Sequence, residues 1–219
     1  TGGSMSAGGG GLGSISNVTF DGTTFTGPHQ VNVNSSMILL SGGVVNNGTI
    51  TVNPTADNLG TFFRTDQSAT LGGTGTLHLN ATGNLDTAQM NAFDGGRVLT
   101  NGASHTIDGI GRIRVALTND GVIRASGPAS NIELAQFAKV NNNLIEAVAG
   151  GVVQLNAVTL TNAPTGVIRA DGAGSVANYI SSGISGGTLT ASTGGVGSII
   201  NSTFSDLTLN GQHQIPFNA

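Results

Sequence analysis

An isoleucine phrase that returns about every twenty residues constrains this chain more than anything else in it. Aligned on that residue, the phrases are Thr106-Ile107-Asp-Gly, Gly121-Val-Ile123-Arg-Ala, Asn143-Leu-Ile145-Glu-Ala and Gly166-Val-Ile168-Arg-Ala, with Gly48-Thr-Ile50-Thr-Val as an earlier relative. Each follows a turn bearing an asparagine, at Asn46, Asn101, Asn119, Asn141 and Asn162, the last four of them almost evenly spaced. A short period made of strand-like runs and turns is the pattern of a parallel β-solenoid, in which each coil covers the apolar face of the coil before it.

The chemistry of the phrase fits that stacking. Alternate residues of a strand face opposite ways, so Ile123 and Ala125 point inward while Val122 and Arg124 point out. The register then stacks Ile107, Ile123, Ile145 and Ile168 in the core. An Asn at the corner tolerates the left-handed backbone of a sharp bend, and its amide can bond the Asn of the next coil. The outward position after each isoleucine reads Asp108, Arg124, Glu146, Arg169. Alternating signs on consecutive coils attract across neighbouring strands where like charges would repel, so this row is expected to control register.

A longer repeat encloses the short one. Residues 1 to 35 return without a gap as residues 185 to 219, with 16 identities in 35 positions where this composition gives roughly 3 by chance. Gly11-Leu-Gly-Ser-Ile-Ser-Asn-Val-Thr-Phe20 comes back as Gly195-Val-Gly-Ser-Ile-Ile-Asn-Ser-Thr-Phe204, and His29 and Phe20 return as His213 and Phe204. The expected organisation is one solenoid unit over 1–184, of about eight to ten coils, followed by the start of the next over 185–219. A rigid shift along the axis should superpose the two copies. Ile215 and Phe217 suggest an open end onto which a further unit packs head to tail.

Composition narrows the function classes. Only 8% of residues are charged, against a usual globular mean of about 25%. Yet mean hydropathy is slightly positive at +0.13, so the chain is no disordered polar tract. Its seven basic residues are scattered, Arg112, Arg114 and Arg124 being the nearest to a cluster, and offer no stripe for nucleic acid. The longest apolar runs, such as Met37-Ile-Leu-Leu40, fall far short of a membrane span. The absence of Cys weighs against a disulfide-stapled extracellular domain; it suits a bacterial protein exported unfolded and also many cytosolic proteins.

Chemistry is sparse. No two acidic residues lie closer than eight in sequence, although stacked coils could bring Asp66 to Asp86, the pairing that glycoside cleavage requires. His29, His78, His105 and His213 show no metal-ligand spacing and are expected at surfaces or turns. Thr-x-Thr pairs at Thr24/Thr26, Thr49/Thr51, Thr74/Thr76, Thr159/Thr161 and Thr188/Thr190 would suit ice binding if they formed one flat array, which breaks between residues 77 and 158. No catalytic residue, cofactor site or metal site is expected.

The phrase Leu-Thr-Asn-x-Gly-x-Ile-x-Ala from Leu117 to Ala125, the Gly-x-Gly-x-Ile-x-Val stretch from Gly109 to Val115 and the lack of Cys resemble bacterial surface proteins with a right-handed parallel β-helix, of the filamentous haemagglutinin and autotransporter-passenger kind. The resemblance is one of style and covers most of residues 40 to 219. It implies export to the cell surface or beyond, a rod-like shape, and adhesive or scaffolding work, with the chain itself as head-to-tail partner and host or cell-surface glycans as candidate ligands. The competing readings are a ligand-binding solenoid that recognises a glycan, a surface or ice, and a β-helical polysaccharide lyase or hydrolase.

Overall fold

Inward-facing side chains, mostly Val, Ile and Leu, on one side of the short strands are buried together when the strands wind around a common axis. The computed structural model describes residues 2–216 and forms a single parallel β-helix of ten coils. Each coil runs along three faces, here A, B and C in chain order. Face A runs from Ser4–Ser6 to Thr203–Ser205, face B from Gly13–Ile15 to Thr208–Gly211, and face C from Val18–Phe20 to His213–Gln214. Eight complete coils precede Gly183. A 3-10 turn at Leu85–Thr87 is the one helical segment among the described residues.

The core is three columns of stacked side chains. Under face B, His29, Ile50, Leu77, Ile107, Ile123, Ile145, Ile168 and Leu189 are consecutive partners on successive coils. Under face C the column is Met37, Phe63, Met90, Ile113, Leu134, Leu155, Tyr179 and Ile199. Under face A it runs Ala69, Leu99, Leu117, Lys139, Leu160, Ile184 and Phe204, so the chain's one lysine occupies a leucine position in the core. Nearly all of these side chains are inaccessible to solvent, and fully burying one aliphatic side chain stabilises by roughly 1.5 to 3 kcal/mol.

Coils differ mainly at the B-to-C corner. The third coil inserts residues 53–60 there and the fourth 81–87, whereas the fifth has no insert, and one strand, Thr106–Arg114, serves both faces. Gly109 makes this possible. Its φ is +101°, and a Cβ there would run into the Leu79 carbonyl oxygen, so no larger residue fits the bend.

Residues 185–216 continue the same three faces, but they do not lie directly above residues 2–32. Ser4–Ser6 is on face A and its counterpart Thr188–Ser192 on face B; Gly13–Ile15 is on face B and its counterpart Val196–Ile200 on face C. The expected shift along the axis alone is therefore incorrect. The physical reason is that the first unit fills eight coils and one further strand, which rotates the second copy by a face. Phe217 lies outside the described residues.

Candidate functional site

The A-to-B corner holds a hydrogen-bonded ladder of buried asparagines. Asn101 donates its Nδ2 to the Oδ1 of Asn119, Asn119 to Asn141 and Asn141 to Asn162, each at 2.8 Å. The ladder amides also reach backbone carbonyls, as Asn119 does to Leu144 at 3.0 Å and Asn162 to Gly166 at 3.0 Å. In the fourth coil the corner is Gly72-Gly73, with no amide to give. His105 of the fifth coil fills that gap. Asn46 Nδ2 lies 3.1 Å from His105 Nε2, and His105 Nδ1 lies 2.9 Å from Asn101 Oδ1. Because Asn46 donates, Nε2 must accept and Nδ1 must carry the proton, which fixes a neutral imidazole. Burial pushes the His105 pKa down to about 4, with the nearby Asp108 opposing. Expected at a surface or turn, His105 is instead buried, as is His29, whose ring meets Phe25 edge-on at 5.1 Å. Both find their polar or aromatic partners inside the rod.

Outward on face B, Asp108, Arg124, Glu146 and Arg169 are consecutive partners on adjacent coils, directly outside the Ile107, Ile123, Ile145 and Ile168 column. Glu146 is fully buried between two arginines, with Arg124 Nε at 2.5 Å and Arg169 Nε at 2.9 Å. Asp108 turns the other way. His78 Nδ1 sits 2.6 Å from Asp108 Oδ1, and that hydrogen bond raises the His78 pKa against its partial burial. The outward row thus reads His78, Asp108, Arg124, Glu146, Arg169, and sequence spacing missed its first member because the coil between is longer.

Face C carries the other concentration of charge. Arg112 binds Glu133 at 2.9 Å through Nε and 2.7 Å through a terminal nitrogen, and also binds Asp86. Arg114 reaches Asp86 at 3.2 Å, and Asn156 donates to Glu133 at 2.9 Å. These groups edge an open depression of about 370 Å³ lined by Arg112, Arg114, Glu133, Gln136 and Asn156. Asp66 is held by Arg97 at 3.0 Å, so each member of the expected Asp66/Asp86 pair has its own arginine. The carboxylates that the fold does bring together, Asp86 with Glu133 on Arg112 and Asp66 with Asp94 on Arg97, have a guanidinium between them where a hydrolase needs the scissile bond. Further along the same face, Arg64 lies 5.2 Å from the Phe62 ring centre and 4.9 Å from that of the exposed Phe93, within cation–π range.

The Thr-x-Thr pairs do not make one array. Thr24/Thr26 and Thr159/Thr161 are on face A, Thr49/Thr51 and Thr188/Thr190 on face B, and Thr74 lies in a turn before Thr76 on face B. Face A has its own outward row, Thr70, Thr100, Thr118, Val140, Thr161 and Ser185, and its strands carry no charged residue except the inward Lys139. Among the described residues no group of three or more His, Cys, Asp or Glu could hold a metal, and no helix is long and apolar enough to cross a membrane. Comparison with protein-family models, curated proteins and solved structures finds no match.

Proposed function

We propose that this chain is a structural segment of a larger secreted or cell-surface fibre, bacterial in style, that serves as a stiff spacer for adhesion or scaffolding rather than as an enzyme. The observation that carries this reading is the repetition of backbone geometry at the two ends. Every residue with positive φ from Gly2 to Gly27 has a positive-φ counterpart in the second copy: Gly2 and Gly186, Gly3 and Gly187, Gly9 and Thr193, Gly10 and Gly194, Asn17 and Asn201, Gly22 and Asp206, Gly27 and Gly211. The contact of Gly13 with His29 recurs as that of Gly197 with His213. Turn geometry, strand order and the glycine–histidine pairing therefore repeat together, as in a tandem array.

The amide ladder, the His78–Asp108 bridge and the Arg124–Glu146–Arg169 bridge support a mechanical role, since each adds cross-links between coils along the axis. Head-to-tail continuation is part of the proposal, because Leu209 and Ile215 are the counterparts of Phe25 and Val31, which the following coils bury completely in the first copy. The test is the sequence that follows this segment in the full-length protein. It should resemble Ser36-Met-Ile-Leu-Leu40 and what comes after; unrelated sequence there would remove the array.

A second reading has one observation in its favour. Face C gathers Arg64, Arg112 and Arg114 with Glu133, Asn156, the half-buried Phe62 and the exposed Phe93, the mixture of donors and flat apolar surface that suits a saccharide. A glycan array probed with the whole chain tests it: binding that Arg112→Ala and Arg114→Ala abolish would favour a lectin-like rod, and no binding would remove it.

A further inference from the structure

Resting on the tandem reading, we infer that each unit of the array is rotated by one face of the helix relative to the unit before it, so that the surfaces of successive units point in three directions in turn. Five strands of the first copy can be followed into the second. Ser4–Ser6 on A becomes Thr188–Ser192 on B; Gly13–Ile15 on B becomes Val196–Ile200 on C; Val18–Phe20 on C becomes Thr203–Ser205 on A. Thr23–Thr26 on A becomes Thr208–Gly211 on B, and Pro28–Val31 on B becomes His213–Gln214 on C. All five advance by the same step, eight coils and one face.

The step is not a local slip, because the same glycine contacts form again after it. Gly13 meets the His29 ring across a B–B strand pair, and Gly197 meets the His213 ring across a C–C pair, with the second ring turned so that Nε2 rather than Nδ1 faces a backbone carbonyl. An added Cβ at Gly27 would overlap the Ala7 carbonyl oxygen, and one at Gly211 would overlap that of Ala191, which is the counterpart of Ala7 in the second copy. The same sequence thus builds the same corner on either of two edges. A helix with three near-equivalent faces permits this, provided that the corners following each face can exchange roles.

The consequence concerns what a partner meets. Within one unit, face A is uncharged outside, face B carries the His78-to-Arg169 row, and face C carries Arg64, Arg112 and Arg114. With a one-face step per unit, each surface returns to the same side only after three units, which is about 25 coils or roughly 120 Å. Every side of the fibre then presents each surface in turn. The uncharged, Thr-rich face A never extends beyond one unit along any side, which interrupts the flat stripe along which parallel rods would otherwise zip together.

The test is a chain in which residues 1–184 precede the whole of residues 1–219, examined by X-ray scattering and then by crystallography. The tandem reading expects one continuous rod about 40 Å longer than the present chain. The one-face step expects, in addition, that the Asn101–Asn162 ladder of the second copy stands at the B-to-C corner while that of the first stands at A-to-B. A continuous rod with both ladders on the A-to-B corner would overturn the step and leave the tandem reading intact. Two separate bodies, or an unfolded second copy, would overturn both.

Discussion

Protonating one buried ring should loosen the rod. His105 accepts from Asn46 through Nε2 and donates to Asn101 through Nδ1, so a second proton on the ring destroys the Asn46 bond and sets a charge among amides. Its pKa is lowered from 6.5 to about 4 by burial. The unfolded chain therefore binds a proton between those values that the folded chain does not. Stability from the neutral ring is complete above pH 6.5, declines as the pH falls, and is exhausted near pH 4. The displacement, at about 1.4 kcal/mol per tenfold change in proton affinity, amounts to about 3 kcal/mol. Gln in place of His105 offers an acceptor and a donor group but does not titrate. Urea unfolding followed by circular dichroism at pH 7, 6, 5 and 4 should show the wild type losing about 3 kcal/mol more than His105→Gln over that range. If the two curves stay parallel, His105 is not the neutral rung that its geometry indicates.

Three further perturbations test the ladder, the charge row and the core lysine. Asn119→Leu removes two ladder bonds and the bond to the Leu144 carbonyl, stranding Asn141 Oδ1 in the core; a loss of about 3 to 5 kcal/mol is expected in denaturant unfolding, from about 1 to 3 kcal/mol per orphaned buried group. Glu146→Gln leaves Arg124 and Arg169 without their shared carboxylate, and because both arginines are more than a third exposed the expected cost is reduced to about 1 to 2 kcal/mol, read from the shift in melting temperature. Lys139→Met should stabilise, since burial lowers the Lys139 pKa to about 7 in a column between Leu117 and Leu160. The folded chain gives up that proton near pH 7 and the unfolded chain near 10.5, so wild-type stability rises with pH across that window. The Met variant should lead by about 1 to 4 kcal/mol at pH 6 and lose that lead by pH 10, after allowance for the two carbonyls that Nζ binds.

The coil and its inward isoleucines were legible in the sequence because both the alternation along each strand and the recurrence from coil to coil survive in local order. The Asn corners were legible for the same reason, as each precedes its strand by nearly the same interval. His105 was not. It fills a gap left by Gly72-Gly73 in the preceding coil, and that gap exists only once the register of coils four and five is known. The Asp86, Arg112 and Glu133 network was equally hidden, its members lying on three different coils with an insert of unpredictable length between them. The threonine pairs misled because their spacing says nothing about face: Thr24 and Thr49 sit at the same interval as Thr49 and Thr74, yet Thr24 stands on A and Thr49 on B. The one-face step was hidden as well, because the inserts at 53–60 and 81–87 make coil length uneven, and only the paired strands count the coils.

Sedimentation velocity on the isolated chain, across a hundredfold range of concentration, tests most directly whether the rod continues through repeated units. The expected result is reversible growth into elongated species, with a frictional ratio that rises as units add end to end, and its suppression by Leu209→Lys with Ile215→Lys at the exposed tenth coil. A single compact monomer at every concentration, unaffected by those substitutions, would contradict head-to-tail assembly and favour a finished ligand-binding domain.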